Sequence, residues 1–175
     1  MAIIDARKNE NETANEMLDK LCEFFRYSLD KNDKSKTSLQ KELELIELYL
    51  SIEKVRFGDR LKVEIDVCRT ALACQVPCML LQPLVENAIK YAIELRKSGG
   101  KICISAKKYN DRLLLKVIDN GQESQGKASD GFGIGLSNTK ARLSAMFNGD
   151  FEVNITDIKE GGTMVSISIP FEKKI

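Results

Sequence analysis

The sequence contains no histidine and no tryptophan among its 175 residues. Without histidine, this chain offers no imidazole for general acid–base catalysis, no serine-type triad and no ordinary catalytic zinc site. Any chemistry must therefore depend on carboxylates, amides, lysines and backbone groups, or on a bound cofactor.

An excess of charge is also missing, as is a long apolar run. Its 27 basic and 26 acidic residues give a net charge of +1, which indicates neither a nucleic acid nor an anionic membrane as partner. The longest apolar stretch, 76–85, is interrupted by Gln82 and Pro83 and is shorter than the roughly 20 residues that span a bilayer. The polar first 15 residues do not resemble a signal peptide. We expect a soluble globular chain.

The five cysteines are odd in number and irregular in spacing. Cys74 and Cys78 are spaced like a metal-binding pair, but two thiols need two further ligands to form a zinc site. We therefore predict free, buried thiols in a reducing compartment.

Two helices are predicted in the first third of the chain. Apolar residues recur every three or four positions over 13–30 and again after Thr37. Thr37 and Gln40 fit a capping box for the second helix, which we expect to end near Gly58. The polar segment 31–38 between the two helices indicates a turn or linker.

A third helix is predicted to run through Asn87 to about Leu95. Pro77 can open it, since proline is favoured in a first turn. Alternatively, the regular helix begins at Pro83, because a proline inside a helix breaks its hydrogen bonds.

Alternation of apolar and polar residues predicts strands at 61–67, 101–107, 112–119, 151–157 and 163–169. The residue pairs 110–111 and 161–162 suit tight turns. A loop is predicted over 120–135, and a helix from there to Phe147. Short turns between adjacent strands predict an α/β (α+β) two-layer sandwich, with a mixed, mostly antiparallel sheet and helices on one face.

Asn87, Lys90 and Tyr91 occupy positions i, i+3 and i+4 and so share one helix face. The amide oxygen of Asn87 suits a magnesium ion already held by phosphates, and Lys90 is a point charge for a phosphate. The same residues fit an ordinary solvated face, so the segment alone leaves both interpretations open.

Asp119 ends an apolar strand and is followed by Asn120 and Gly121. A carboxylate in this position can accept a hydrogen bond from an exocyclic amine such as that of adenine. Asp-Asn-Gly is equally a strong turn signal, so a simple strand-closing turn is the alternative.

Gly131, Gly133 and Gly135 alternate with other residues just before a predicted helix. Glycine lets backbone N–H groups approach a phosphate, and a helix N-terminus favours an anion. The segment follows a long loop and lacks Gly-Lys-Ser/Thr, so it matches neither a Walker loop nor a dinucleotide fingerprint. A merely flexible loop is the other interpretation.

The order of these motifs is more specific than any one of them. A helical asparagine, a strand-end Asp-x-Gly and a Gly-x-Gly before a helix occur in the order of the nucleotide fold shared by gyrase, MutL and histidine kinases, and 161–163 (GGT) adds a fourth match. The segments 25–29, 37–61, 76–91 and 133–143 further resemble LytS-type sensor histidine kinases. The similarity extends from about residue 5 to Pro170.

This resemblance implies a Bergerat-type ATP-binding fold and assigns roles to the motifs. Asn87 would coordinate Mg²⁺, Asp119 would bind adenine beside Gly121, and Thr163 would support Asp119. The alternating glycines would form the lid hinge and the phosphate contacts. Arg142 is a weaker phosphate candidate. The implied ATP site comprises Asn87, Lys90, Tyr91, Asp119, Gly121, Gly131, Gly133, Ile134, Gly135, Leu136 and Thr163.

The resemblance also implies an activity and partners. The γ-phosphoryl group of ATP would pass to a histidine, expected just upstream of residue 1, and then to a response regulator. No catalytic residue is assigned within this chain. Residues 1–33 would be the remnant of the dimerisation and phosphoacceptor region, and 34–175 the catalytic domain. A homodimer is implied, with this segment on the cytoplasmic side of a membrane-anchored bacterial sensor.

Two positions depart from the family pattern. Tyr91 stands where a histidine is usual, and Glu123 replaces the second glycine of Asp-x-Gly-x-Gly. A glutamate near the polyphosphate would reduce nucleotide affinity, so a nucleotide-binding-impaired dimerisation or signal-relay module is the alternative. A serine kinase of the anti-sigma type shares the nucleotide fold, but segment 13–57 argues against it.

Overall fold

A computed structural model describes residues 36–121 and 133–173, together with four helical positions at 15, 18, 19 and 22. Most of the helix predicted over 13–30, the boundary after residue 33, Gly131 and Glu123 lie outside the described residues. Within the described part of the chain, no helix is long and apolar enough to cross a membrane.

Residues 36–121 and 133–173 form seven strands, three α-helices, a 3₁₀ turn and a π-helix. In chain order these elements are β1 (Lys36–Ser38), α1 (Leu39–Phe57), the 3₁₀ turn (Gly58–Arg60), β2 (Leu61–Val67), β3 (Gln75–Pro77), α2 (Gln82–Ala88), the π-helix (Ile89–Glu94), β4 (Gly100–Tyr109), β5 (Arg112–Asp119), α3 (Gly133–Phe147), β6 (Glu152–Asp157) and β7 (Thr163–Pro170).

Five strands form one mixed sheet in the order β2-β4-β5-β7-β6. The β2–β4 pair is parallel, and the other three pairs are antiparallel. Along β4, buried Ile102, Ile104 and Ala106 alternate with partly exposed residues, so one face of the sheet is covered. The predicted two-layer arrangement and sheet type are confirmed.

The covered face packs against apolar stripes of the helices. Leu39 and Ile46 of α1, Leu84 of α2 and Leu143 of α3 are each 0–1% exposed and belong to the same core as the sheet. Burying one such side chain contributes about 1.5–3 kcal/mol, so the stripes fix the helices on the sheet.

The start of α1 differs from the capping-box prediction. Ser38 is the N-cap, and its hydroxyl accepts a hydrogen bond from the N–H of Lys41 at 3.3 Å. Thr37 instead pairs with Val76 in a small β1–β3 sheet, which the sequence pattern did not reveal. The prediction that the helix ends at Gly58 is confirmed, with φ of 56° at that residue.

Pro77 does not open a helix, because it ends β3 and pairs with Lys36. The alternative is confirmed, since α2 begins at Gln82 with Pro83 in its first turn. Beyond Ala88 the α-helix continues as a wider π-helix that carries Lys90 and Tyr91. Helical periodicity does not distinguish a π-helix from an α-helix.

The predicted strands and turns agree closely with the structure. β4 is longer than predicted at both ends, and the turn at Asn110 has φ of 52°. Gly161 and Gly162, with φ of 98° and 102°, form the last turn. α3 begins at Gly133, two residues before the predicted start. Most of the loop predicted over 120–135 lies outside the described residues.

Candidate functional site

The carboxylate of Asp119 is buried at the end of β5, where the residue is 6% exposed. Its Oδ1 accepts the N–H of Gly121 at 2.8 Å, and the N–H of Thr163 also donates to the carboxylate. Burial raises the pKa of Asp119 above its ordinary value, while these two N–H groups and the charge of Arg96 act in the opposite direction. Burial of this carboxylate is unfavourable, and hydrogen bonds from backbone N–H groups offset part of that cost.

Asn120 fastens the same turn to the start of β4. Its side-chain Oδ1 accepts the N–H of Lys101 at 2.6 Å, and its own N–H donates to the carbonyl of Lys101 at 3.2 Å. The guanidinium of Arg96 donates to the carbonyl of Asn120. Neither Asn120 nor Arg96 was among the predicted site residues, because their partners are distant in sequence.

Two glycines allow the backbone to close around Asp119. A methyl group on Gly162 would lie 2.7 Å from the carbonyl carbon of Asp119. A methyl group on Gly121 would lie 2.9 Å from Asp119 Oδ1 and 3.4 Å from the carbonyl oxygen of Tyr91. The strand-end acid, the last turn and the π-helix thus meet at a place with no room for further side chains.

Asn87 lies in the last turn of α2. It is half-buried on α2, and Pro83 and Tyr91 lie four residues before and after it along the helix. Lys90 is exposed, with its Nζ 5.1 Å from the centre of the Tyr91 ring. The helical stretch that carries Asn87 therefore runs from Pro83, in the first turn of α2, to Tyr91, whose carbonyl lies at the Asp119 turn.

The first turns of α3 pack on the first turn of α2. A methyl group on Gly135 would lie 3.3 Å from Cβ of Pro83, and the hydroxyl of Thr139 donates to the carbonyl of Gly135 at 2.9 Å. Leu136 is 5% exposed and belongs to the core. Gly133 and Ile134 are the first two residues of α3.

Arg142 is half-buried and donates hydrogen bonds to the turn before α2. Its Nη1 donates to the carbonyls of Cys78 and Met79 at 2.8 and 3.3 Å. The buried carboxylate of Glu42, 1% exposed, accepts N–H groups of the same turn. Glu42 was not predicted. The signal that could have found it is a charged residue on the apolar face formed by Leu39 and Leu43.

The described residues bring the predicted motifs together in two groups. Asp119, Gly121 and Thr163 meet the carbonyl of Tyr91, and Gly135 meets the first turn of α2. A cavity of about 230 Å³ also touches this strand end, but Cys103 and Ile118 line it from the uncovered face of the sheet. That cavity therefore lies on the face of the sheet opposite to α2 and α3.

Comparisons with known proteins agree with this arrangement. Residues 1–61 match the family model described as histidine kinase, and residues 77–173 match the one described as histidine kinase-, DNA gyrase B-, and HSP90-like ATPase. The sensor protein LytS of Staphylococcus saprophyticus is 37% identical over 93% of this chain and 29% of its own. The chain spans 29–30% of the length of the first curated relatives that it matches.

Two solved structures share the fold. The nucleotide-free catalytic domain of histidine kinase ThkA has a TM-score of 0.61 at 15% identity, covering 79% of this chain and 96% of that one. Full-length ShkA in complex with AMPPNP has a TM-score of 0.58 at 17% identity, covering 91% and 36%. The predicted LytS-type resemblance is confirmed. The chain belongs to the histidine kinase family, and residues 77–173 form its ATP-binding catalytic domain.

Proposed function

We propose that this domain binds ATP with Mg²⁺ and presents the γ-phosphoryl group to a histidine outside this chain. The observation that carries the proposal is the buried Asp119 carboxylate, held by the N–H groups of Gly121 and Thr163. An acid in such a site accepts a hydrogen bond from an amine, and the exocyclic amine of adenine fits that need. A side chain at Gly121 would press on Asp119 Oδ1, so glycine at this position keeps the carboxylate in place.

Residues along α2 and α3 suit the phosphates and the metal. Asn87 offers one amide oxygen, and Mg²⁺ takes only one or two ligands from a protein when phosphates and water supply the others. Lys90 is an exposed cation one turn beyond Asn87. Gly131, together with Gly133, Ile134, Gly135 and Leu136 in the first turn of α3, would bring backbone N–H groups to the phosphates. Glu123 would oppose them through its negative charge.

When bound, ATP supplies the phosphoryl group, and the chain contributes positioning and charge stabilisation. Asp119 orients the base, while Asn87 and Lys90 hold the phosphate end. The chain has no histidine, so a segment of another chain or an upstream segment must supply the acceptor. We further propose that a response regulator receives the phosphoryl group and that the kinase is a homodimer anchored to a bacterial membrane by its sensor, with this domain in the cytoplasm.

The proposed division of the chain follows the same reasoning. Residues 1–33 would belong to the dimerisation and phosphoacceptor region, and 34–175 to the catalytic domain. The match of residues 1–61 to a histidine kinase model supports the first assignment. β1 supports a boundary before Lys36, because it pairs with β3 and so belongs to the second part.

Calorimetric titration of the chain with a non-hydrolysable ATP analogue and Mg²⁺ tests the binding step. We expect saturable binding by the wild type and at least about a tenfold weaker affinity for Asp119→Asn, because a hydrogen bond to a charged group is lost. Absence of heat at millimolar ligand, or an Asp119→Asn affinity equal to that of the wild type, would contradict the proposal and favour the signal-relay alternative.

The transfer step needs a separate test. A LytS-type dimerisation helix that carries its histidine is supplied in trans with radiolabelled ATP. We expect acid-labile label on that helix and none on this chain. Acid-stable label on a serine of a supplied protein would instead indicate a serine kinase.

A further inference from the structure

One peptide group in the turn before α2 is held at both ends by charged side chains. The N–H of Met79 donates to Glu42 Oε1 at 2.7 Å, and the carbonyl of Cys78 accepts from Arg142 Nη1 at 2.8 Å. In a trans peptide the N–H and C=O point in opposite directions. Glu42 of α1 and Arg142 of α3 therefore form hydrogen bonds to opposite sides of the same peptide group.

The same two side chains also form hydrogen bonds to the neighbouring peptide groups. Glu42 also accepts the N–H groups of Leu80 and Leu81 at 2.8 and 3.3 Å, and Arg142 also donates to the carbonyl of Met79 at 3.3 Å. Hydrogen bonds to charged groups are about twice as strong as neutral ones, and a buried carboxylate has strong need of them. The turn is thus fixed by five charge-assisted hydrogen bonds.

The turn adopts a conformation that it would not adopt without help. Met79 has φ of 58°, a left-handed value that is unfavourable for a non-glycine residue. A strained residue persists where its surroundings over-determine it, and such residues cluster at functional sites. Here Glu42 and Arg142 supply the hydrogen bonds that hold Met79 in this conformation.

This turn determines the position of α2, which begins directly after it. Leu81 is the N-cap of α2 but has no side-chain cap, and Leu84 and Val85 donate to its carbonyl at 3.1 and 3.0 Å. The orientation of the turn therefore sets the first turn of the helix that carries Asn87. Arg142 also ties α3 to this turn, two helical turns after Gly135 packs on Pro83.

The two side chains come from different parts of the family architecture. Glu42 lies within the segment 1–61 that matches a histidine kinase model, whereas the turn and Arg142 lie within 77–173, which matches the ATPase model. We call the hydrogen bonds of Glu42 and Arg142 to the 78–81 turn the clamp. The clamp joins α1, which follows the N-terminal region, directly to α2 and α3.

We propose that Glu42 and Arg142 are positioning residues of the nucleotide site. Through the 78–81 turn they fix α2, with Asn87, relative to α3, so that metal-bound phosphates meet both. This inference rests on the proposed ATP–Mg²⁺ function and assigns Arg142 to the turn rather than to a phosphate.

The test measures the affinity of an ATP analogue with Mg²⁺ in Glu42→Gln and Arg142→Met, together with thermal unfolding. An amide at position 42 keeps the size but places an NH₂ group against N–H donors. We expect at least about a tenfold weaker affinity for each variant. The double variant should be within about twofold of the weaker single one, because both act through one turn. Arg142→Lys, which keeps one charged donor, should recover most of the affinity.

Leu50→Ala is the matched control. Leu50 lies on the core face of α1, where it is 6% exposed, so its truncation destabilises the same helix without removing a hydrogen bond to the turn. It should lower the unfolding temperature but leave the affinity unchanged well below that temperature. Wild-type affinity in folded Glu42→Gln and Arg142→Met, or an equal loss in Leu50→Ala, would overturn the inference.

A ligand-free measurement separates this inference from the proposed function. The side-chain amide resonance of Asn87 is followed by NMR in the same variants. It should shift in Glu42→Gln and Arg142→Met and stay in place in Leu50→Ala. If the wild type bound no ATP, the proposed function would fail, and the Asn87 resonance would still decide the clamp: an unmoved resonance would overturn it.

Discussion

Gly162 lies directly against the last peptide of β5, so that any side chain on it would enter the backbone of Asp119. The residue has φ of 102°, and a methyl group there would stand 2.7 Å from the Asp119 carbonyl carbon. The position therefore has two requirements for glycine, one conformational and one steric.

Gly162→Ala should lower the free energy of unfolding by about 2–4 kcal/mol, because backbone strain and a backbone clash add. It should also abolish ATP binding, since Thr163 would be displaced from Asp119. Urea denaturation and calorimetric titration measure the two effects.

Gly149→Ala provides the control, because Gly149 has φ of 88° but no atom within 4 Å of an added methyl group. It carries the strain alone, so a loss of about 1 kcal/mol with unchanged ATP affinity is expected. Equal losses in the two variants would show that the close approach to Asp119 is unimportant.

The stability of the ligand-free protein should depend on the protonation of Asp119. Burial raises the pKa of this acid above its ordinary value of 3.8, so Asp119 takes up a proton more readily in the folded state than in the unfolded state. The stabilisation from protonation is complete below 3.8 and is lost as the pH rises through the raised pKa. Relative to Asp119→Asn, the wild type should gain stability as the pH falls from neutral.

Urea denaturation of both proteins across this range gives the difference directly. A difference that stays constant, or that shrinks as the pH falls, would contradict the proposed cost of the buried charge.

Asn87→Ala should weaken ATP binding only when Mg²⁺ is present. The proposed role of the amide is to coordinate the metal, so removal of the metal with EDTA should bring wild type and variant to the same affinity. We expect about a tenfold loss with Mg²⁺, measured by titration under both conditions.

Asn154→Ala is the control for the loss of an asparagine, since Asn154 is exposed on β6. Its affinity should equal that of the wild type with and without the metal. A loss in Asn87→Ala that persists in EDTA would assign Asn87 to the nucleotide or to folding rather than to Mg²⁺.

Lys90→Met should weaken ATP binding at low ionic strength by about three- to tenfold, with a smaller effect as salt is added. An exposed ammonium attracts a phosphate through a screened charge, and the screening length is about 10 Å at 0.1 M salt. Titration at two salt concentrations measures the change.

Lys116→Met removes another exposed charge, on β5, and serves as the comparison. It should leave the affinity unchanged at both salt concentrations. If the two variants behaved alike, the effect of Lys90 would reflect net charge rather than its place on the π-helix.

Local patterns were sufficient to predict the sheet and the acidic strand end. Alternation located β5 and β7, and paired glycines located the turn that brings Thr163 to Asp119. These signals depend on neighbours in sequence, and for that reason the order of motifs was informative.

The interactions that sequence reasoning missed are long-range ones. Glu42 bonds a turn in a later segment, and Thr37 was drawn from its predicted cap into pairing with Val76. In both cases the partner is distant in sequence, so local propensity could not reveal the interaction. The widening of the helix after Ala88 likewise has no periodic signature that short patterns reveal.

The parallel pairing of β2 with β4 has a consequence for the order of folding. Everything between Val67 and Gly100, including the helix with Asn87, lies inside the connection that this pairing closes. The β4–β5 and β6–β7 hairpins close over much shorter separations, so we expect them to gain protection first during refolding. In pulsed hydrogen exchange the amides of α2 should follow them. A refolding chain would then form the two hairpins of its sheet before the helix that carries the proposed metal ligand.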